Sequence, residues 1–63
     1  MTISVYRSLG GAVTFKTRVT GAENERLECA MYKIKPLLDM DLPLATIAAA
    51  LQQLLPNDRV ILL

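Results

Sequence analysis

RLECAMYKI, residues 26–34, decides the fold of this chain, because it fits two periods at once. Leu27, Ala30, Met31 and Ile34 recur at i, i+3, i+4 and i+7, the spacing that gathers apolar side chains on one face of a helix. Leu27, Cys29 and Met31 also alternate, as they would along a half-buried strand. The residues upstream favour the helix. Thr20-Gly21-Ala22-Glu23 has the form of a capping box, in which Thr20 caps the first turn and Glu23 reaches back. Glu23 and Glu25 add negative charge where a helix dipole welcomes it. Downstream, Pro36 should end or kink the helix, since its ring clashes with the carbonyl of Tyr32.

Before this segment the chain reads as strands. TISVYR (2–7) and VTFKTRV (13–19) alternate with period two and are rich in β-branched and aromatic residues, with Gly10-Gly11 between them. A two-residue Gly10-Gly11 loop would set Val5 opposite Lys16 and Ile3 opposite Arg18, pairing apolar with charged residues. A slip of one residue repairs this, because it exchanges the two faces of the strand. The loop Leu9-Gly10-Gly11 pairs Val5 with Phe15 and Ile3 with Thr17; the loop Gly10-Gly11-Ala12 pairs Ile3 with Val19. A three-residue loop with one glycine in the left-handed region is expected.

After it the chain turns apolar. From Leu42 to Leu63 only Asp58 and Arg59 are charged. Asp41 is placed to cap a helix with Pro43 in its first turn. Leu44, Ile47, Ala48, Leu51, Leu54 and Leu55 form its apolar stripe, and no charge lies on the opposite side. Pro56-Asn57-Asp58 is a turn, and Arg59–Leu63 reads as a short buried strand that pairs with the hairpin or with a partner's sheet. The expected fold is α+β: one small ββααβ domain over residues 1–63, an antiparallel hairpin plus a C-terminal strand with two helices on one face. If 26–34 were a strand, the order would be βββαβ.

Composition narrows the chemistry. There is no histidine and one cysteine, so an internal disulfide, a Cys/His zinc site and a Ser-His or Cys-His nucleophile are all excluded. Cys29 is expected as a small buried hydrophobe; only Lys33 or Arg26 stands near it to activate it. Asp39 and Asp41 are too few for a calcium loop. Gly10-Gly11 belongs to no phosphate-loop motif. Pro43–Gln52 has the character of a first helix-turn-helix helix, but a turn and a strand-like run follow it instead of a recognition helix. Tyr6, Tyr32, Lys33, Lys35, Asp39 and Asp41 are the candidates for an acid or base in an enzyme, and no spacing joins them into a site.

A chain of this size buries only about 60% of its unfolded surface, and small domains often compensate with disulfides, metals or oligomerisation. With the first two excluded and an apolar content of 52%, a homodimer is expected. Its candidate interface is Leu44, Ile47, Leu51, Leu54, Val60, Ile61 and Leu62. Charge is uneven along the chain: residues 1–20 carry +3 from Arg7, Lys16 and Arg18, and residues 36–63 carry −2. Tyr6, Arg7, Lys16 and Arg18 are the candidate face for a protein partner or, alternatively, for nucleic acid. No basic leader precedes an apolar stretch, and Pro43 and Pro56 interrupt the longest apolar region, so no membrane association is expected. These features lead to the expectation of a non-enzymatic, cytoplasmic accessory or regulatory protein of bacterial or phage type, without cofactor or metal, acting by protein–protein binding.

Overall fold

In the computed structural model, which describes residues 1–63, the chain runs β1 (Thr2–Arg7), β2 (Val13–Thr17), α1 (Gly21–Leu38), α2 (Leu44–Leu54) and β3 (Arg59–Leu62). Residues 26–34 are helical, and the βββαβ order does not occur. Ala30 and Ile34 are buried, with Leu27 and Met31 packed beside them, whereas Cys29 is exposed. A strand period would have buried Cys29 together with Leu27 and Met31. The expectation of a buried Cys29 is overturned for the same reason: the helical stripe passes it by.

The three strands form one sheet in the order β2-β1-β3. β1 and β2 are antiparallel with Ile3 opposite Thr17 and Val5 opposite Phe15, the register set by a Leu9-Gly10-Gly11 loop. The Ser8 amide donates to the Ala12 carbonyl at 2.9 Å and closes that loop, and the Gly11 amide donates to the Ser8 carbonyl at 2.9 Å. Gly11 has φ of 88°, the left-handed conformation that suits a glycine at the end of such a turn. β3 lies on the other side of β1 and runs parallel to it, with Ile3 opposite Val60 and Val5 opposite Leu62. The last strand therefore pairs within its own chain, and the sheet is mixed.

Both helices cover the same face of the sheet. Ile3 and Val5 on the central strand meet Ala30 and Ile34 of α1, Ile47, Ala48 and Leu51 of α2, and Leu55 just beyond it. Ile3, Val5 and Leu51 are completely inaccessible to solvent. Val13, Phe15, Leu42, Leu44 and Val60 are half-buried around this centre.

The ends of the helices follow local rules, with two departures from expectation. Thr20 caps α1: its hydroxyl accepts from the Glu23 amide at 3.4 Å and donates to the Glu23 carboxylate at 3.0 Å. Pro36 does not stop α1, which continues to Leu38. The proline sits in the last turn on the exposed side, where only one backbone hydrogen bond is given up. Asp41 does not cap α2. Pro43 occupies the cap position, and no side chain bonds there. A residue before proline is driven to extended backbone, so Leu42 holds Asp41 one step too far from the first turn. No helix is long and apolar enough to cross a membrane.

Leu51 lies at the junction of both helices and the sheet. Leu51→Ala should cost about 2–5 kcal/mol of stability, measured as a lowered urea midpoint with an unchanged slope; a loss within experimental error would mean that the site collapses around the shorter side chain.

Candidate functional site

The helix-free face of the sheet carries the functional candidates. Side chains alternate along each strand, so this outer face shows Thr2, Ser4 and Tyr6 on β1, with Thr14 and Lys16 on β2 and Arg59 and Ile61 on β3. Continuing each register by one residue adds Arg18 beside Thr2 and Leu63 beside Tyr6. The result is a grid of three rows. Arg18-Thr2-Arg59 and Lys16-Ser4-Ile61 make a cationic end. Thr14-Tyr6-Leu63 makes an aromatic and aliphatic end.

Lys16, Arg18 and Arg59 are exposed and form neither an ion pair nor a side-chain hydrogen bond. No Asp or Glu side chain belongs to the grid. The six Asp and Glu residues lie on α1, on the segment that follows it and in the turn before β3. The charged side chains of this face are thus all cationic and gathered at one end, while the side chains of the rest of the chain carry four cations against six carboxylates.

Arg7 does not join this face. It follows Tyr6 and so points to the helix side, where its guanidinium donates to the Gly11 carbonyl at 3.0 Å and the Leu42 carbonyl at 2.7 Å. It ties the hairpin loop to the connection between the helices. Arg59 takes its place among the face cations. The alternation of RVILL could have revealed this, because a single cation on an otherwise apolar strand marks its solvent side.

The candidate dimer residues separate into two groups. Ile47 and Leu51 are buried in the core of the single chain, and Leu44 and Val60 are half-buried against it. Ile47 and Leu51 therefore have no surface to offer a second copy. A helix stripe that fills its own domain's core and one that fills a dimer interface have the same sequence pattern. Leu54, at 37%, Leu62, at 46%, and Leu63, at 75%, remain exposed. Ile61 is half-buried on the outer face of the sheet. Within the single chain Val60 and Ile61 are half-buried and Leu62 and Leu63 exposed.

A buried polar node holds β3 in place. The Asp58 carboxylate accepts from the Met1 α-ammonium at 2.8 Å and from the Arg26 guanidinium at 2.8 and 3.5 Å. Glu23 approaches the same ammonium at 3.5 Å. The Gln52 side chain donates to the carbonyls of Leu55 and Asp58 at 3.0 and 2.6 Å and accepts from the Val60 amide at 3.0 Å. Every polar group of the turn into β3 that these side chains reach is satisfied, as burial requires. Sequence reading missed this node. Its signal was Asp58 itself, a carboxylate standing next to a strand with no other acid near it.

The node shifts its own groups. The hydrogen bond from the Met1 ammonium, together with Arg26 and against the effect of burial, holds the Asp58 carboxyl below its ordinary value. The hydrogen bond to Asp58, again against burial and helped by Glu23, raises the ammonium above its ordinary value. The Thr20 hydroxyl lowers Glu23.

Elsewhere, a shallow groove between α1 and the end of α2 is lined by Arg26, Cys29, Lys33, Leu54 and Pro56. Arg26 is committed to Asp58, which leaves Lys33 as the cation beside the exposed thiol. Asp39 and Asp41 are exposed on the connection between the helices. No three His, Cys, Asp or Glu side chains are grouped so as to hold a metal ion. No protein-family model, curated protein or solved structure matches the chain, so the reading of its function rests on the geometry.

The signs of the shifts fix a pH profile. Asp58 has a lowered folded pKa, so its stabilisation is present above the unfolded value near pH 4 and is lost as pH falls through the folded one. The ammonium has a raised folded pKa, so its stabilisation is complete below about pH 8 and is lost as pH rises through the folded one. Urea denaturation is expected to give a plateau between about pH 5 and 7 with a fall on each side. Asp58→Asn should lower the plateau and flatten both limbs; limbs of unchanged depth in the variant would assign the pH dependence to other groups.

Proposed function

We propose that this protein is a non-enzymatic binding module whose docking surface is the open face of its sheet, and that it takes an anionic partner there. The observation that carries this reading is the pairing of three unpartnered cations, Lys16, Arg18 and Arg59, with the absence of any Asp or Glu side chain from the same face. A surface whose role was only solvation would have no reason to segregate its charges. A field of one sign steers partners of the other sign and repels a second copy of itself. The remaining polar groups with defined partners, Arg7, Glu23, Arg26, Gln52 and Asp58, are engaged within the fold. An accessory or regulatory role in the cytoplasm suits a chain with one unpaired thiol and no grouped catalytic residues.

Retention on immobilised heparin tests the face. The triple variant Lys16→Ser, Arg18→Ser, Arg59→Ser is expected to lose retention at about 0.15 M salt. The double variant Lys33→Ser, Lys35→Ser, which alters exposed cations of α1, is expected to keep it. Equal losses in the two variants would reduce the effect to net charge and remove the reading.

Self-association is a second reading, favoured by the outer edge of β3. The amides of Arg59 and Leu63 donate inward to the Met1 and Val5 carbonyls. By alternation the Val60 and Leu62 amides point away from β1. Gln52 occupies the first, and no strand lies beyond the second. Exposed Leu62 stands at this free edge. Antiparallel pairing of two such edges about a two-fold axis would continue the sheet into six strands and set both cationic faces side by side. Light scattering is expected to give twice the chain mass for the native protein and the single mass for Leu62→Lys; a native monomer at high concentration would end this reading and leave the first intact.

A further inference from the structure

We infer that the anionic partner of the sheet face is single-stranded nucleic acid. This rests on the docking reading above and names its occupant. The face has two chemistries, arranged in sequence along β1. At one end the Tyr6 ring, half-buried between Thr14 and Leu63, offers an aromatic platform in the middle of the sheet. At the other, Lys16 on β2 and Arg18 just beyond it stand across β1 from Arg59 on β3. Two strand spacings, about 10 Å, separate these cations. A phosphate backbone running over Thr2 and Ser4 would therefore have positive charge on both sides and hydroxyl donors beneath it. A base reaching Tyr6 would stack on its ring and rest against aliphatic Leu63 and Ile61.

Alternative occupants fit less of this surface. A peptide usually docks on a sheet by adding a strand to an edge, where main-chain groups are free. The face offers no main-chain groups, so an acidic peptide would use the cations and leave Tyr6 without a role. Duplex DNA keeps its bases stacked on one another, out of reach of Tyr6. Its major groove admits a helix or a two-stranded ribbon, but this is a three-stranded sheet backed by helices. Unstacked bases on an aromatic platform, with cations following the backbone, are the general arrangement for single strands.

Fluorescence anisotropy with the full chain separates the cases. The probes are a labelled 15-nucleotide oligothymidylate, a 15-base-pair duplex and a 15-residue polyglutamate. Oligothymidylate is expected to bind most tightly, with log affinity falling against log salt at a slope of about −2 for three phosphate contacts. Tyr6→Ala should weaken it roughly tenfold without changing that slope, and Tyr6→Phe, which keeps the ring, should restore it. The triple variant Lys16→Ser, Arg18→Ser, Arg59→Ser should abolish both affinity and slope. Circular dichroism of each variant, expected to match the native spectrum, confirms that these surface changes leave the fold intact. Polyglutamate binding as tight as oligothymidylate, and lost in the triple variant, would overturn the nucleic-acid assignment and leave the docking face standing. Duplex binding as tight as single-strand binding, or indifference to Tyr6→Ala, would overturn it as well. Absence of binding to all three probes would remove both the partner and the docking reading.

Discussion

The carboxylate of Asp58 ties the edge strand β3 to the rest of the fold. β3 is only four residues long and sits at the edge of the sheet, where a short parallel strand has little to hold it. Asp58 joins the start of that strand to the beginning of β1 through the Met1 ammonium and to α1 through Arg26. Gln52 adds α2 to the same node. The start of β1 and α1 are thereby tied to the Asp58 side chain, and α2 to its backbone carbonyl. Charge-assisted hydrogen bonds are directional and stronger than neutral ones, so they select one register where the apolar run Val60-Ile61-Leu62-Leu63 could accept several. The two charged partners also account for the buried carboxylate, which would be costly alone.

Register is what turns this into a surface. Fixed by the node, β3 directs Val60 to the helices and Arg59 and Ile61 to the opposite face. A slip of one residue would send Arg59 toward the core and Val60 to solvent. The place of Arg59 on the cationic face is thus tied to the neighbouring Asp58, a buried carboxylate paired with the half-exposed Arg26 and the Met1 ammonium. Arg7 is the counterpart at the far end of β1. By binding the carbonyls of Gly11 and Leu42 it fastens the hairpin to the helix connection, and it withdraws one cation from the face that holds Tyr6.

Much of the secondary structure was legible because its signals were local. The hairpin register followed from refusing to pair Val5 with Lys16, and the glycine in the left-handed region from the loop length. Capping by Thr20 and the stripe through Leu27, Ala30, Met31 and Ile34 were legible as well. Errors arose where two physical causes leave the same pattern. Leu44, Ile47 and Leu51 form an apolar stripe that serves a domain core as well as a dimer interface. Pro36 disfavours a helix interior and is tolerated in a last turn. Cys29 fits a buried strand position and an exposed helix position, and the choice of period alone decides between them. The candidate face was half legible: Tyr6, Lys16 and Arg18 share a side by alternation, but nothing near them in the chain announces Arg59.

Composition and periodicity place the hairpin, α2 and the last strand, favour a helix over 26–34, and leave no internal disulfide, Cys/His zinc site or histidine nucleophile, because these depend on residue types or on neighbours within a few residues. Packing settles what those signals leave open: β3 runs parallel to β1 within the same chain, Ile47 and Leu51 are buried in the core of that chain, and Arg59 shares a face with cations more than forty positions away. The start of β3 is held by Asp58 meeting Met1 and Arg26, contacts between residues 57 and 32 positions apart. Periodicity carries no information over such separations; only the packed chain brings the charges together.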